Sequence, residues 1–266
     1  MKYQIDHDLH IHSQISPCSR DENQTKEAIF AYGMTLGLKL LCVTDHFWDL
    51  QVDFKGYPGW TDVGNGLWKS ILPLPQGDSC KFLFGAEVDM NAAEVVGITE
   101  ETLDQMDFCI VSVGHLWLKG FTVPGDAPTL DFQAKKELYK SRLLSLLNRD
   151  DLDFTKIGIG HFTHGFEKEC LACFSDREYE EIFSLIAQKG AGVELNVTLP
   201  EADEEYTKEI LRPYEIAKQM GCKFYLGGDA HHPSGFTNNK KKFETIIDSL
   251  ALTEEDKWEF VKKHIQ

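Results

Sequence analysis

Asp8-Leu9-His10-Ile11-His12 closes the first apolar run of the chain, where a strand is expected over residues 3–8. Residues two apart on a strand point to the same side, so His10 and His12 can reach one metal ion together. Working outward, short and nearly continuous apolar runs recur at residues 40–44, 81–87, 108–113, 156–160, 192–196 and 223–227. Runs of that kind suit parallel strands covered on both faces. Helical patterns separate them over residues 22–36, 132–148, 176–189, 204–220, 240–250 and 254–264, the last with Thr253 as its N-cap. Strands alternating with helices predict an α/β architecture with parallel pairing. Seven strands in this order fit a (β/α) barrel better than the alternative, a small open sheet.

The strand-end position then repeats. Thr44-Asp45-His46 closes the second expected strand and Gly85-Ala86-Glu87 the third. His115 follows the fourth, His161 closes the fifth, and Asp229-Ala230-His231 follows the seventh. Six expected strands thus deliver a His, Glu or Asp at the C-terminal end, where (β/α) barrels build their active sites. Imidazoles suit Zn, Fe or Mn, and carboxylates suit Mn and Mg and can bridge two ions. The donors exceed the needs of one tetrahedral ion, so two or three divalent metal ions are expected. Such clusters clamp phosphoryl oxygens and supply a hydroxide nucleophile near neutral pH.

Composition narrows the partners. Against 43 Asp+Glu stand 27 Lys+Arg, a formal charge of −16 that repels phosphate backbones and argues against nucleic acid and anionic membranes. A hydrophobic share of 42% and an aromatic share of 11% exclude general disorder. The sequence lacks an apolar run of about 18 residues and an apolar leader, so neither a membrane span nor secretion is expected. Seven cysteines spread along a chain without a leader read as reduced thiols, hence a cytoplasmic location. Without any linker-like stretch, residues 1–266 read as one domain.

Taken together, Asp8-Leu9-His10-Ile11-His12-Ser13, Thr44-Asp45-His46, Gly85-Ala86-Glu87, His115, His161 and Asp229-Ala230-His231 resemble the polymerase and histidinol phosphatase (PHP) family. Ser16-Pro17-Cys18-Ser19-Arg20 and Glu194-Leu195-Asn196-Val197-Thr198 are most similar to its histidinol-phosphatase-like members. The resemblance implies a distorted seven-stranded (β/α) TIM-like barrel, a trinuclear site holding Zn, Mn or Fe, and phosphoester hydrolysis. Carried onto this chain, it implies metal ligation by His10, His12, Cys18, His46, Glu87, His115, His161, Asp229 and His231. Glu87 is expected to bridge two ions, and His10 and His12 to share one with Asp229. Glu87, His115 and Asp229 are then the catalytic group. Cys18 stands where the family usually has His or Asp; either its thiolate binds zinc as a softer ligand, or one metal position is weakened or empty.

Asp8 and Asp45 read as carboxylates that orient ligands. Arg20, Asn196 and His232 are candidate substrate contacts, Arg20 through a bidentate grip on phosphate. His164 flanks a ligand position as a substrate contact, a proton donor or a surface residue; His7 reads as a non-ligand, and His264, on the terminal helix, as exposed. Residues 48–79 form a long loop, either a lid or a surface loop pinned by its aromatics, and residues 116–130 a second irregular stretch. Cys170-Leu171-Ala172-Cys173 reads as structural, and Lys240-Lys241-Lys242 as a solvated helix face. The expected activity is hydrolysis of a small phosphomonoester; the alternative is a phosphodiesterase or exonuclease on the same site. A non-catalytic domain or an amidohydrolase-type enzyme fits the ligand set less well.

Overall fold

Alternation along the strands separates a barrel interior from an outside that faces helices. On the second strand Leu40 and Cys42 join an inner apolar cluster, while Leu41, Val43 and Phe47 join the large outer core. The computed structural model describes residues 1–19, 21–52, 54–200 and 202–265. Its strands are β1 (His7–Ile11), β2 (Leu40–Phe47), β3 (Lys81–Asp89), β4 (Phe108–Ser112), β5 (Ile157–Ile159), β6 (Gly192–Leu195) and β7 (Lys223–Leu226). All pair in parallel in sequence order. The helices are α1 (Lys26–Leu36), α2 (Trp60–Gly64), α3 (Glu100–Leu103), α4 (Phe132–Leu147), α5 (Lys168–Ala172), α6 (Asp176–Lys189), α7 (Glu204–Gln219), α8 (Asn239–Ser249) and α9 (Glu259–Ile265). The fold is the expected TIM-like barrel of seven parallel strands, nearly closed. No helix among the described residues is long and apolar enough to cross a membrane.

Local chemistry sets the helix starts. The Thr25 side chain accepts from Ala28 N at 3.1 Å, so α1 begins at Lys26 rather than at residue 22. Ser175 and Glu178 close a capping box on α6. Asp131 and Asp203 cap α4 and α7.

The seam between β1 and β7 carries most of the distortion. Asp8 pairs with Leu41 and Ile11 with Val43, so three steps on β1 face two on β2. This bulge lets Leu9 join the inner cluster while His10, next in sequence, also turns inward. The Ile11 amide there donates to Thr44 Oγ1 at 3.2 Å. At the top of the seam, backbone bonds run from Asp229 N to His10 O (2.7 Å) and from His12 N to Ala230 O (3.0 Å). Lower down, side chains replace the ladder: Leu226 N donates to His7 Nε2 at 3.0 Å, and Tyr3 Oη to Phe224 O at 2.8 Å. A Cβ on Gly227 would lie 2.0 Å from Glu194 Oε1, so only glycine lets this chain pass.

Two expected elements differ at the barrel floor. The first strand starts at His7, not at residue 3, because Tyr3 N bonds Leu252 O across the floor instead of entering the sheet. The helix expected over residues 254–264 is split. Thr253 caps only a 3-10 turn, Glu254–Asp256, and α9 starts at Glu259. The break follows from Lys257, whose ammonium turns inward, fully buried, to Asp6 (2.8 Å) and Glu254 (2.9 Å). Trp258 and Phe260 then plug the barrel bottom against Phe108.

Burial opposes ionisation of Asp6, but His7 and Lys257 outweigh it and hold the carboxyl below its usual 3.8. A carboxylate depressed in this way stabilises the fold above its unfolded-state pKa, and the contribution fades as pH falls through the folded value. Lys257→Met therefore should cost about 3–5 kcal/mol near neutral pH by stranding a buried charge. Urea unfolding should show that gap, and it should narrow as acid protonates Asp6.

Candidate metal centre

Glu87 is the hub of the barrel mouth. It projects inward from β3, is 1% exposed, and has imidazoles on several sides. Its Oε2 lies 3.1 Å from His46 Nδ1, 3.3 Å from His12 Nε2 and 3.4 Å from His10 Nε2. Its Oε1 lies 3.4 Å from His161 Nε2 and 3.9 Å from His115 Nε2. Asp229 closes the ring from beyond β7, with Oδ1 3.1 Å from His12 Nε2 and Oδ2 3.3 Å from His161 Nε2. Burial would raise both carboxyls, yet the surrounding imidazoles hold Glu87 and Asp229 well below the carboxylate range. Burial likewise works against a charged His10, and Glu194, Asp229 and Glu87 overcome it, raising the ring well above its ordinary 6.5.

Three donor groups have ligand atoms within 4.8 Å of one another: His12 with Cys18, His46 and His231; His10 with Glu87 and His161; and His10 and His12 with Asp229. Eight of the nine sequence-expected ligands thus fall into compact groups, and His115 stands just outside them, beside Glu87. Several donor atoms at the cluster lack hydrogen bonds: Glu87 Oε1, Asp229 Oδ1 and His46 Nδ1 are buried with no partner. Buried lone pairs left unmatched are costly in an apolar interior. Nitrogen, oxygen and sulfur donors that share a volume this way fit divalent transition metal ions. His161 and Asp229 also hold left-handed backbones (φ 48° and 56°), a strained state concentrated at functional sites.

Other residues fix the donors. Glu194 Oε1 meets His10 Nδ1 at 2.5 Å, and its Oε2 accepts from His161 N at 2.7 Å. Asp89 Oδ1 meets His115 Nδ1 at 2.8 Å. Asp45 accepts from Ser13 N and Oγ at 2.6 and 2.7 Å, anchoring the loop that carries Cys18. Asp8 accepts from Tyr32 Oη (2.9 Å) and Gly228 N (2.8 Å), so it ties the seam rather than touching a ligand ring. Burial pushes its carboxyl up to about 6 despite those bonds. Desolvation opposes ionisation of Cys18, but His12, His231 and His46 bring the thiol down to about 3. His7 bonds Asp6 and the β7 backbone and joins no donor group.

Two recesses flank the cluster. One, about 460 Å³, is walled by Tyr57, Trp60, Trp117 and Leu118 and reaches Cys18, His46 and His115. The other, about 370 Å³, is lined by His164, Asn196, Asp229, Tyr206 and Lys242. Asn196 donates to Asp229 Oδ2 at 3.2 Å and accepts from Lys242 Nζ. His232 is exposed, bonds Ser234 Oγ, and lines neither recess. Arg20 lies outside the described residues.

Sequence reasoning overlooked Glu194, Asp89 and Lys242 as site residues. Glu194 sits at the end of β6, so the strand-end rule already contained it; Asp89 follows Glu87 on the same face of β3. Lys240 and Lys241 are exposed as expected, but Lys242 turns inward to Gly228 O (3.3 Å), and burial lowers its ammonium pKa. The reading of the whole run as a solvated face is corrected at that residue, because helical rotation carries it off the exposed side.

By sequence, no family model and no curated protein matches the chain. By structure, it is similar to the histidinol phosphate phosphatase of Lactococcus lactis subsp. lactis Il1403, a structure holding zinc, L-histidinol and phosphate. That match has a TM-score of 0.57 and 18% identity over 93% of this chain and 94% of that one. It is also similar to a putative histidinol phosphatase from Listeria monocytogenes, with a TM-score of 0.54 and 14% identity over 89% of this chain and 99% of that one. At these identities the likeness establishes a shared fold.

Carboxylates that hold the second nitrogen of a ligating histidine typically set metal affinity by about 10–100-fold. Glu194→Ala should lower zinc affinity by about that factor. Competition with a chromophoric chelator, on protein shown by circular dichroism to be folded, measures it.

Proposed function

We propose that the chain is a metal-dependent phosphomonoesterase of the polymerase and histidinol phosphatase family, with residues 1–266 acting as one catalytic domain. The observation that carries this reading is the ring of imidazoles around Glu87 and Asp229, with buried donor atoms unpaired at the barrel mouth. The shared fold with histidinol phosphate phosphatases, one of them in complex with zinc, L-histidinol and phosphate, supports it.

Two or three divalent ions would be held by the three donor groups, with Glu87 and Asp229 placed to serve neighbouring positions. The Cys18 thiolate favours zinc at its position; the carboxylates accept Mn or Fe as readily. Bound ions of this kind bring positive charge to phosphoryl oxygens and make water a usable nucleophile near neutral pH. The chain's own residues supply the rest. Glu194 and Asp89 hold the His10 and His115 rings in one orientation. Asn196 and Lys242 face the cluster from the polar recess and are placed to grip a phosphate oxygen. His115 borders the aromatic recess beside Glu87, where developing charge would be met. The free state of all seven cysteines is consistent with a cytoplasmic enzyme.

Assay of the chain reconstituted with Zn, Mn or Fe should release inorganic phosphate from small phosphomonoesters, with little turnover of phosphodiesters. Chelation should abolish the activity, and Glu87→Ala should lower kcat by about 100-fold or more. Turnover that persists in metal-free protein would falsify the reading.

A further inference from the structure

Six of the seven cysteines are placed as ordinary thiols. Cys42, Cys80, Cys109, Cys170, Cys173 and Cys222 each donate from Sγ to a backbone carbonyl, and all but the half-buried Cys173 are buried. Cys18 differs on both counts. It is exposed, and its sulfur meets side chains: the Ser16 hydroxyl at 3.0 Å and donor nitrogens of His12, His46 and His231, in a group whose ligand atoms lie within 4.8 Å of one another. The surrounding loop is built to hold it there. Ser16 Oγ also lies 3.3 Å from His12 Nδ1 and accepts from His46 N at 3.3 Å. The Ser16 and Ser19 amides close turns onto Ser13 O and Ser16 O at 3.1 and 3.0 Å, and Ser19 Oγ donates to His231 O. His46 is buried, with its Nδ1 unpaired. On the open side, Cys18 borders the recess of about 460 Å³.

A sulfur held among imidazoles is kept towards thiolate, and attack by peroxide follows thiolate character and exposure. The oxygen and nitrogen donors of the cluster have no comparable reaction. We infer that Cys18 is a peroxide-sensitive modification site, whose oxidation takes the sulfur out of the His12, Cys18, His46 and His231 group and releases the ion held there. The sulfur attacks one oxygen of hydrogen peroxide; the S–O bond forms as the O–O bond breaks, sulfur loses two electrons, and hydroxide leaves. The product is a sulfenic acid beside three imidazoles, without the anionic donor. Among the described residues no second cysteine lines the recess or joins the group, so the chain supplies no thiol to close a disulfide. A small thiol must reverse the step: the first molecule forms a mixed disulfide and frees water, and the second frees Cys18 as the small disulfide leaves.

The inference rests on the metal centre of the phosphatase reading and not on hydrolysis. Its test treats the zinc-loaded full chain with hydrogen peroxide, reads released zinc with a chromophoric chelator, and locates sulfenic acid by dimedone capture and peptide mass spectrometry. Cys18 should be oxidised before Cys173, with release of about one zinc ion per chain. In the parent chain the time courses of oxidation and release should coincide, and a small thiol with fresh zinc should restore the bound ion. Cys18→Asp, which keeps an anionic donor without sulfur, should hold zinc through the same treatment, while Cys173→Ser should lose it as the parent does. Zinc retained after Cys18 is oxidised, release that runs ahead of that oxidation, or equal release from Cys18→Asp would each overturn the inference. A chain that takes up no zinc would overturn the metal centre with it. Peroxide-driven release from a chain that hydrolyses no phosphate ester would uphold the inference and overturn the phosphatase reading instead.

Discussion

A carboxylate cannot stay charged inside a protein unless something answers it, and Glu87 is nearly inaccessible at the centre of the barrel mouth. His10, His12, His46, His161 and His115 all approach it within 4 Å. Each comes from a different strand end or from the same end two residues on, so the barrel must close for the charge to be answered. The arrangement leaves donor atoms without hydrogen bonds, which a folded interior tolerates only where another partner is intended. Closure of the fold and assembly of the site are therefore one event.

The weakest part of the sheet, the β1–β7 seam, serves that event directly. The bulge in β1 turns His10 inward, and Glu194 from β6 holds it there. The absence of a side chain at Gly227 admits the Glu194 carboxylate, and Asp8 pins the next glycine by accepting from its amide. At the floor, Lys257 and Asp6 reach across 251 residues of sequence to seal the opposite end. Distortion here is not a loss of regularity alone. It converts ladder positions into side-chain positions that carry donors.

Above the cluster, two long excursions divide the entrance by chemistry. The segment after β2 brings Trp60 against His46 with Tyr57 packed on Trp60, and the segment after β4 brings Trp117 against His115. The β6 and β7 ends with α8 make the opposite side polar through Asn196, Asp229 and Lys242. A phosphate ester has the same division, an anionic end and an organic end. The formal charge of −16 does not by itself oppose such a ligand, because Lys242 and the ring of imidazoles stand at the mouth.

Strand order, parallel pairing and the histidine and carboxylate positions at strand ends were legible in the sequence. They depend on side-chain period and chemical identity, both local properties. Glu194 lies at the end of β6 under the same rule, but its role of holding the His10 ring depends on the contact between β6 and β1, which has no local signal. Other features had no local signal. The β1 bulge, the inward turn of Lys242, the break before α9, the stacking of Trp60 on His46 and the approach of Trp117 to His115 arise from contacts between distant segments. Lys257 interrupts a helical pattern only because Asp6 waits beneath it. Sequence by itself determined which groups could ligate and on which strands they lie. Tertiary structure decided which of them meet, since strand register, seam closure and the cost of burying Glu87 are settled only when the whole barrel forms.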